Sequence, residues 1–404
     1  MILKGDLPDP DRNAHDMWAA QLVRTGSLTI SENGEFSDWK LYYPNTVPKP
    51  LEMLISFLRL PGSVFFHSLL TMTIAGLTLA AAQAAAGPSG KETALFLGFN
   101  PAFILLSLKG NPAIPFLLGM FMAQTAKAET SGAVIASLAR PEGFIYGGWK
   151  GLKNWKLTAL LFLSAAVWLT FHKVSCNSFN WASEEVRYSV SAMAYPTVNS
   201  FTLLPWAFLR SIMVLGAPGA ALFYYGFKKW KLAAPFSLNF ILLTISLAMG
   251  SLVLPRYIDQ LFLLAAPLIF FELRKIYSGK ALKMAICAIL LFPAFQWTYT
   301  AEEISNSLSL REFYSRFQFP SQGITAANEL LIPGMALAGG ISNPGLYYVS
   351  TDRAAWEGAT EAELKEMGVS KVVVVPFGIY YPEHTEQFIQ SLTDTEVEYF
   401  QKHQ

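Results

Sequence analysis

Long stretches of uncharged, apolar residues are the feature that most constrains this chain. Several approach twenty residues, the length that a helix needs to cross about 30 Å of hydrocarbon. Charged residues make up 15% of the 404 positions, against about 25% in soluble domains. This composition excludes a disordered chain, a nucleic-acid-binding arm and an ordinary cytosolic enzyme. We predict spans, several of them short, at 63–86, 93–108, 112–126, 131–148, 156–173, 203–227, 235–254, 257–273 and 281–298.

The placement of lysine and arginine predicts how these spans are oriented. Basic residues cluster in three short loops, at 150–156, 228–231 and 274–283, which we therefore place on the cytoplasmic side. The loop 174–202 and everything after 298 are then non-cytoplasmic. If the interrupted 131–148 stretch crosses the membrane fully, residues 1–50 lie inside; if it is re-entrant, they lie on the same outer side. Arg140 and Glu142 within this stretch favour the re-entrant interpretation.

The sequence predicts two domains. Residues 1–298 form an α-helical multi-pass membrane domain, with an external first loop and surface helices within 1–62. Residues 299–404 carry 14 acidic and 6 basic side chains and form a small soluble α/β domain outside the membrane. We expect strands in this tail at 346–350, 371–376 and 397–400, and helices at 360–367 and 383–393. The tail shows no glycine-rich phosphate loop, and we interpret it as a packing or substrate-contacting cap.

An acidic loop near the start of the chain is the first candidate for chemistry. Asp6, Asp9 and Asp11 alternate with prolines, which fix the backbone and remove hydrogen-bond donors. We expect Asp11 to be the N-cap of a helix that Gly26 ends. His15 follows one turn later. Two interpretations stay open: a solvated, capped loop, or carboxylates that take a proton from a hydroxyl group or hold a divalent cation such as Mg or Mn.

Basic residues at membrane depth are the second candidates. A charged side chain within a bilayer normally pairs or lines a wet cavity, and a guanidinium group suits a phosphate. Arg256 follows Pro255 at the external end of a span, where it binds a lipid phosphate or anchors the helix at the interface. Arg140 is expected to pair with Glu142.

In these features the chain resembles the GT-C superfamily of polyprenyl-phosphate-sugar-dependent membrane glycosyltransferases, especially the aminoarabinose-transferase and protein-mannosyltransferase branches. The resemblance covers roughly residues 5–300. It rests on the 15-residue spacing from Asp11 to Gly26, and on the segments Tyr42-Tyr43-Pro44, Lys49-Pro50-Leu51, 138–143 and 254–257. Three features depart from the family. No span precedes the acidic loop, Asp11 is followed by Arg12, and the Trp-Trp-Asp-Tyr-Gly signature of oligosaccharyltransferases is absent.

The resemblance implies an enzyme that transfers a sugar from a polyprenyl-phosphate donor to a protein, lipid or glycan acceptor, with inversion, on the non-cytoplasmic face of the cell membrane. Asp11 is the expected base. The supporting or metal-binding candidates are Asp6, Asp9, His15, Asp16, Glu184 and Glu185. The candidates for the donor phosphate are Arg256, Lys49, Arg140 and Tyr257. We expect contacts with membrane lipids and none with nucleic acid. The alternatives are a transporter or flippase of lipid-linked saccharide, and a non-catalytic scaffold.

Overall fold

The structure of the protein is a computed structural model. It describes residues 7–26, 49–60, 64–152, 154–176, 237, 239, 241, 255–291, 294–317, 323–340, 347–377, 379, 381 and 383–401. The first nine α-helices in these ranges are α1 Pro10–Thr25, α2 Pro50–Arg59, α3 Val64–Ala85, α4 Gly90–Phe99, α5 Pro101–Leu108, α6 Ala113–Met122, α7 Glu129–Ala139, α8 Glu142–Gly151 and α9 Trp155–Cys176.

Further helices and a small sheet follow toward the C-terminus. The helices are Pro255–Ile276, Gly279–Leu291, Ala294–Arg316, Ile332–Gly339, Thr351–Glu357, Glu361–Glu366 and Glu383–Ser391. The strands are β1 Ile324–Ala327, β2 Tyr348–Ser350, β3 Val369–Val374 and β4 Glu396–Tyr399. The described part of the protein is therefore mostly helical with one α/β region, as the sequence predicts.

Two helices in the described ranges are long and apolar enough to cross a membrane. They are Phe65–Ala85 within α3 and Trp155–Lys173 within α9, at two of the predicted positions. Helices α5 and α6 pass the same test only as a pair, which is bent by 119°. Gly110 turns there with a φ of 58°, a conformation that favours glycine. The predicted span at 203–227 lies outside the described residues.

The interruption predicted in the 131–148 stretch is present. Helix α7 ends at Ala139, and α8 begins at Glu142. Arg140 has extended backbone angles between them, as expected for a residue that precedes a proline.

The chain divides into two compact units. The first contains Met1–Ser68, Leu169–Met193 and Glu302–Gln404, and the second contains Leu69–Trp168 and Ala194–Ala301. The first unit thus joins sequence from both sides of the domain boundary predicted at 298. The boundary at 298 stays a prediction, and it concerns which segments of the chain fold independently.

The α/β part of the first unit is a four-stranded parallel sheet with the strand order β2-β1-β3-β4. Alternate residues of its strands supply two apolar layers. Ala326, Val349, Val372 and Val374 pack on one face with side chains from the three helices that follow β2 and β3. Tyr348, Val373 and Val375 belong to the opposite layer. The predicted strands and helices of the tail are confirmed, and β1 was not predicted.

The second apolar layer includes the N-terminal helices. Met17, Trp18 and Ala19 of α1 and Met53 of α2 share it with Phe313, Tyr314, Met335 and Tyr348. Because α1, α2 and the sheet share one core, they lie on the same side of any membrane that the chain crosses. The basic loops likewise predict one side for both segments, and which side that is stays a prediction.

The second unit contains α4 to α8, and the most extensive helix contact among its described residues is between α6 and α7. Glycines make that contact possible: a Cβ atom on Gly119 would overlap the backbone of Ala136, and one on Gly132 would overlap that of Ala123. Trp168 closes the same region by donating its indole N–H to the carbonyl oxygen of Ser137 at 2.9 Å.

Candidate functional site

The N-cap of α1 is Asp9, and the prediction that Asp11 occupies this position is wrong. A carboxylate oxygen of Asp9 accepts the backbone N–H of Arg12 at 3.0 Å. Pro10 takes the first helical position, where its missing N–H costs nothing. Asp11 instead lies half-buried in the first turn. Gly26 ends the helix with a φ of 74°, as predicted. Asp6 lies outside the described residues.

His15 joins the start of α1 to the start of α2. Its Nε2 accepts the backbone N–H of Lys49 at 3.2 Å, so Nδ1 carries the proton and donates it to the carbonyl oxygen of Asp11 at 2.6 Å. Burial lowers the pKa of His15 to about 4, and the positive charge of Lys49 adds to this effect. A metal ion at His15 would therefore have to displace one of two backbone partners.

Asp16 lies between two arginines in the contact of α1 with α2. Its carboxylate oxygens are 3.9 Å from Nε of Arg12 and 3.7 Å from Nη1 of Arg59. All three side chains are buried. Burial of ionised groups is costly unless they are paired, so this arrangement fixes how α1 and α2 pack.

A fourth buried ionisable side chain completes this contact. Glu52 is 2% exposed, and its Oε1 has no hydrogen-bond partner among the described residues. Burial raises the pKa of Glu52 to about 7; the carboxylates of Asp16 and Asp9 raise it further, and the charges of Arg59 and Lys49 oppose the rise. Sequence reasoning missed this residue. The signal was the spacing of Glu52, Ser56 and Arg59, which puts three polar residues on one face of an otherwise apolar helix.

The sequence reasoning also missed Arg12 and Arg59 as site residues. We define the α1–α2 charge cluster as Asp9, Arg12, Asp16, Glu52 and Arg59. When all five are ionised, three carboxylates face two guanidinium groups, which leaves one excess negative charge. Lys49 stands at the edge of this cluster as the residue that precedes α2, and its side chain is half-buried.

Arg140 belongs to the second unit, and its guanidinium is engaged there. Nη2 lies 2.9 Å from Oε1 of Glu142, which is the ion pair that the sequence predicts. Nη1 donates to Oε1 of Gln260 at 2.8 Å, and the group lies 5.7 Å from the ring centroid of Phe116. These contacts make Arg140 a link between helices, and a phosphate would have to compete with them.

Four predicted site residues remain: Arg256, Tyr257, Glu184 and Glu185. Arg256 and Tyr257 lie in the first turn of the helix Pro255–Ile276, within the second unit. Glu184 and Glu185 lie outside the described residues. In the ranges that the structure describes, no group of three or more His, Cys, Asp or Glu side chains is arranged to hold a metal ion.

A second buried polar cluster lies in the tail, at the carboxyl ends of β1 and β2. Both carboxylate oxygens of Asp352 accept hydrogen bonds, from Nδ2 of Asn328 at 3.3 Å and from the backbone N–H of Glu329 at 3.0 Å. Glu329 lies 3.5 Å from Nε of Arg353. Burial raises the pKa of Asp352 well above its usual range, and the charge of Glu329 adds to the rise. No sequence motif predicted this cluster.

Compared with models of protein families, with curated proteins and with solved structures, the chain matches none.

Proposed function

We propose that this protein is a multi-pass membrane glycosyltransferase of the GT-C type. It would move a sugar from a polyprenyl-phosphate donor to an acceptor hydroxyl group on the non-cytoplasmic face. One observation carries the proposal: the hydrogen bond from the backbone N–H of Lys49 to His15 brings the acidic start of α1 next to residue 49, the lysine that the resemblance assigns to the donor phosphate. A base and a cation are the two elements that such a transfer requires.

The proposed reaction is a direct displacement. Asp11 takes the proton of the acceptor hydroxyl, whose oxygen attacks the anomeric carbon of the sugar. The bond from that carbon to the phosphate oxygen breaks, and the phosphate leaves with the electron pair. Attack on the face opposite the leaving group inverts the anomeric centre. The ammonium group of Lys49 stabilises the negative charge on the departing phosphate.

Two further features support this proposal. The long apolar helices α3 and α9 suit a protein whose donor is anchored in a bilayer. The shared core of α1, α2 and the tail keeps the acidic loop on the same side as the acidic tail. Arg256, Arg140 and Tyr257 stay predicted phosphate contacts. If Arg256 binds the donor phosphate, Arg256→Ala weakens donor affinity more than it slows turnover.

A transfer assay with a panel of polyprenyl-phosphate sugars tests the proposal. Asp11→Asn should reduce turnover by about 10²–10⁴-fold, the usual contribution of a general base, with thermal unfolding unchanged. Asp394→Asn is a matched control, because that aspartate is exposed in the tail and paired with Lys365. Wild-type turnover in Asp11→Asn would refute the assignment of the base.

Labelling of intact cells tests the orientation. Single cysteines at Thr25 and Glu366, with Cys176 and Cys287 replaced by serine, should both react with an impermeant reagent. Both positions are exposed and belong to the first unit. Reaction only after lysis at both positions would reverse the proposed orientation.

A transporter or flippase of lipid-linked saccharide is the second candidate. The observation that favours it is the 119° bend between α5 and α6, since broken helices near the membrane midplane often form transport sites. A flippase would move labelled lipid across vesicles without consuming it, and Asp11→Asn would leave that movement unchanged.

A further inference from the structure

The proposed mechanism leaves Glu52 without a role, although it is the most unusual ionisable group in the α1–α2 charge cluster. Its carboxyl group is buried, and Oε1 is not hydrogen-bonded to any described residue. A buried charge without close partners is unstable unless it is neutralised. In proteins such groups commonly take up a proton instead.

The charges around Glu52 decide when this happens. The carboxylates of Asp16 in α1 and of Asp9, which caps it, face Glu52 from one side. The cations are Arg59 in α2 and Lys49, which precedes that helix. Asp16 also forms an ion pair with each of the two arginines, so part of their positive charge is already compensated. A proton on Glu52 removes the one excess negative charge of the cluster.

Lys49 makes this proton relevant to function. It precedes the first residue of α2, and Glu52 lies three residues later in the first helical turn. In a capping box, the acid at that position accepts the backbone N–H of the capping residue. Here His15 accepts the N–H of Lys49, so the Glu52 carboxyl group does not make this bond. The positive charge of Lys49 still acts on Glu52 and lowers its pKa.

We propose that Glu52 couples binding of the donor phosphate at Lys49 to the uptake of a proton. With Glu52 neutral, the charge of Lys49 is available to an anionic phosphodiester. With Glu52 ionised, the carboxylate competes for the same lysine and adds repulsion toward the phosphate. By linkage, an anion bound at Lys49 stabilises the protonated form of Glu52. The proposal rests on the proposed function for the identity of the anion, a lipid phosphodiester.

The test is calorimetric binding of geranylgeranyl methyl phosphate to the full-length protein in detergent micelles. This diester carries a single charge between pH 6 and 9, so only protein groups titrate. Titrations at pH 7.5 in two buffers of different ionisation enthalpy measure the protons taken up. We expect net uptake of a fraction of a proton, and an affinity that falls roughly tenfold between pH 6 and pH 8.5, the scale of one partly screened charge pair.

Three variants assign the effect. Glu52→Gln imitates the neutral acid, so it should bind without proton uptake and with the same affinity at both pH values. Lys49→Met should bind at least tenfold more weakly. Glu366→Gln, an exposed carboxylate in the tail, should behave as wild type. Asp352 also has a raised pKa and could take up a proton. The proton uptake is therefore assigned to Glu52 by the difference in uptake between wild type and Glu52→Gln.

The outcomes separate this proposal from the proposed function. Binding of the diester with no proton uptake in wild type would overturn the role of Glu52 and leave the donor assignment intact. The same would follow from unchanged uptake in a folded Glu52→Gln variant. No binding at any pH, in wild type and Glu52→Gln alike, would overturn the lipid-phosphate donor itself.

Discussion

Arg24 in the last turn of α1 donates a 2.7 Å hydrogen bond from Nη1 to the carbonyl oxygen of Gly340, 316 residues further along the chain. Gly340 caps the helix Ile332–Gly339, so the bond joins the ends of two helices whose apolar sides meet in one core. The tail therefore helps to hold α1, and with it the acidic loop at the start of α1, in position.

Truncation of the tail tests whether α1 depends on it for packing. A chain that ends at residue 301 lacks Phe313, Tyr314 and Tyr348, and α1 then exposes Met17 and Trp18. Full burial of one large apolar side chain contributes about 1.5–3 kcal/mol, so we expect α1 to lose its protection. Hydrogen exchange of Pro10–Thr25 should become fast. Removal of residues 402–404 is the control. Unchanged protection of α1 in the long truncation would show that it folds without the tail.

Two substitutions at Asp9 separate capping from catalysis. Asp9→Ala removes the acceptor for the Arg12 N–H and should destabilise α1 by about 1 kcal/mol. Asp9→Asn keeps an acceptor oxygen, so thermal unfolding should shift less. Both variants should retain more turnover than Asp11→Asn. A larger loss of turnover in Asp9→Asn than in Asp11→Asn would transfer the role of base to Asp9.

His15 should make the protein sensitive to acid. Its pKa is about 4 when folded and about 6.5 when unfolded. The unfolded chain therefore binds more protons as the pH falls from 6.5 to 4, and stability decreases over that window by about 3 kcal/mol. Below pH 4 the loss is complete.

The matched variant for this window is His15→Gln, whose amide oxygen can accept the Lys49 N–H at every pH. Melting temperatures at pH 7, 6, 5 and 4 should fall more steeply in wild type than in His15→Gln. Protonation of Glu52 and Asp352 raises stability as the pH falls, in wild type and in His15→Gln alike. The relevant quantity is therefore the difference in melting temperature between the two proteins at each pH. Parallel curves would mean that His15 is not buried as a neutral base.

The packing of α6 on α7 predicts a contrast between two glycines. Gly119→Ala places a Cβ atom against the backbone of Ala136, whereas Gly148→Ala meets nothing within 4 Å. We expect Gly119→Ala to lower the yield of monodisperse protein and its melting temperature. Gly148→Ala should raise stability slightly, because alanine favours a helix over glycine by up to about 1 kcal/mol. Equal effects of the two substitutions would contradict the close contact.

Asp352 should make the tail sensitive to alkali. Its folded pKa is raised above the unfolded value, so its contribution to stability is complete at acid pH and is lost as the pH rises. Asp352→Asn sacrifices one hydrogen bond, at about 1 kcal/mol, but carries no titrating charge. The melting temperature should therefore fall less between pH 6 and pH 9 in this variant than in wild type. If the melting temperature of Asp352→Asn falls as steeply as that of wild type, or more steeply, the loss of stability between pH 6 and pH 9 belongs to another group.

Local signals predicted the elements that the chain forms. Gly26, the Pro-Gly break after α2, the valine-rich β3 and the interruption at Arg140 all act on their own neighbours, and the structure confirms those at Gly26, β3 and Arg140. β1 was missed because Ile324-Thr-Ala-Ala327 is short and rich in alanine. Its strand character comes from pairing with β2 and β3, which no local pattern contains.

The candidate site was less predictable than the fold. The sequence indicated the acidic loop and Lys49, but not the contact that joins them, because residues 15 and 49 are far apart in sequence. Glu52 and Arg59 were missed for a different reason, although their spacing puts them on one face of α2. Their burial depends on α1 covering one face of α2, and a polar face on a surface helix normally indicates exposure to water.

The shared core of α1 and the tail also sets an order of events during synthesis. Met17 and Trp18 leave the ribosome roughly 300 residues before their core partners Phe313 and Tyr348. At about 5–20 residues per second, roughly 300 residues take on the order of 15–60 s. Throughout that interval the apolar side of α1 lacks its final core partners and stays exposed until Phe313 and Tyr348 have been synthesised.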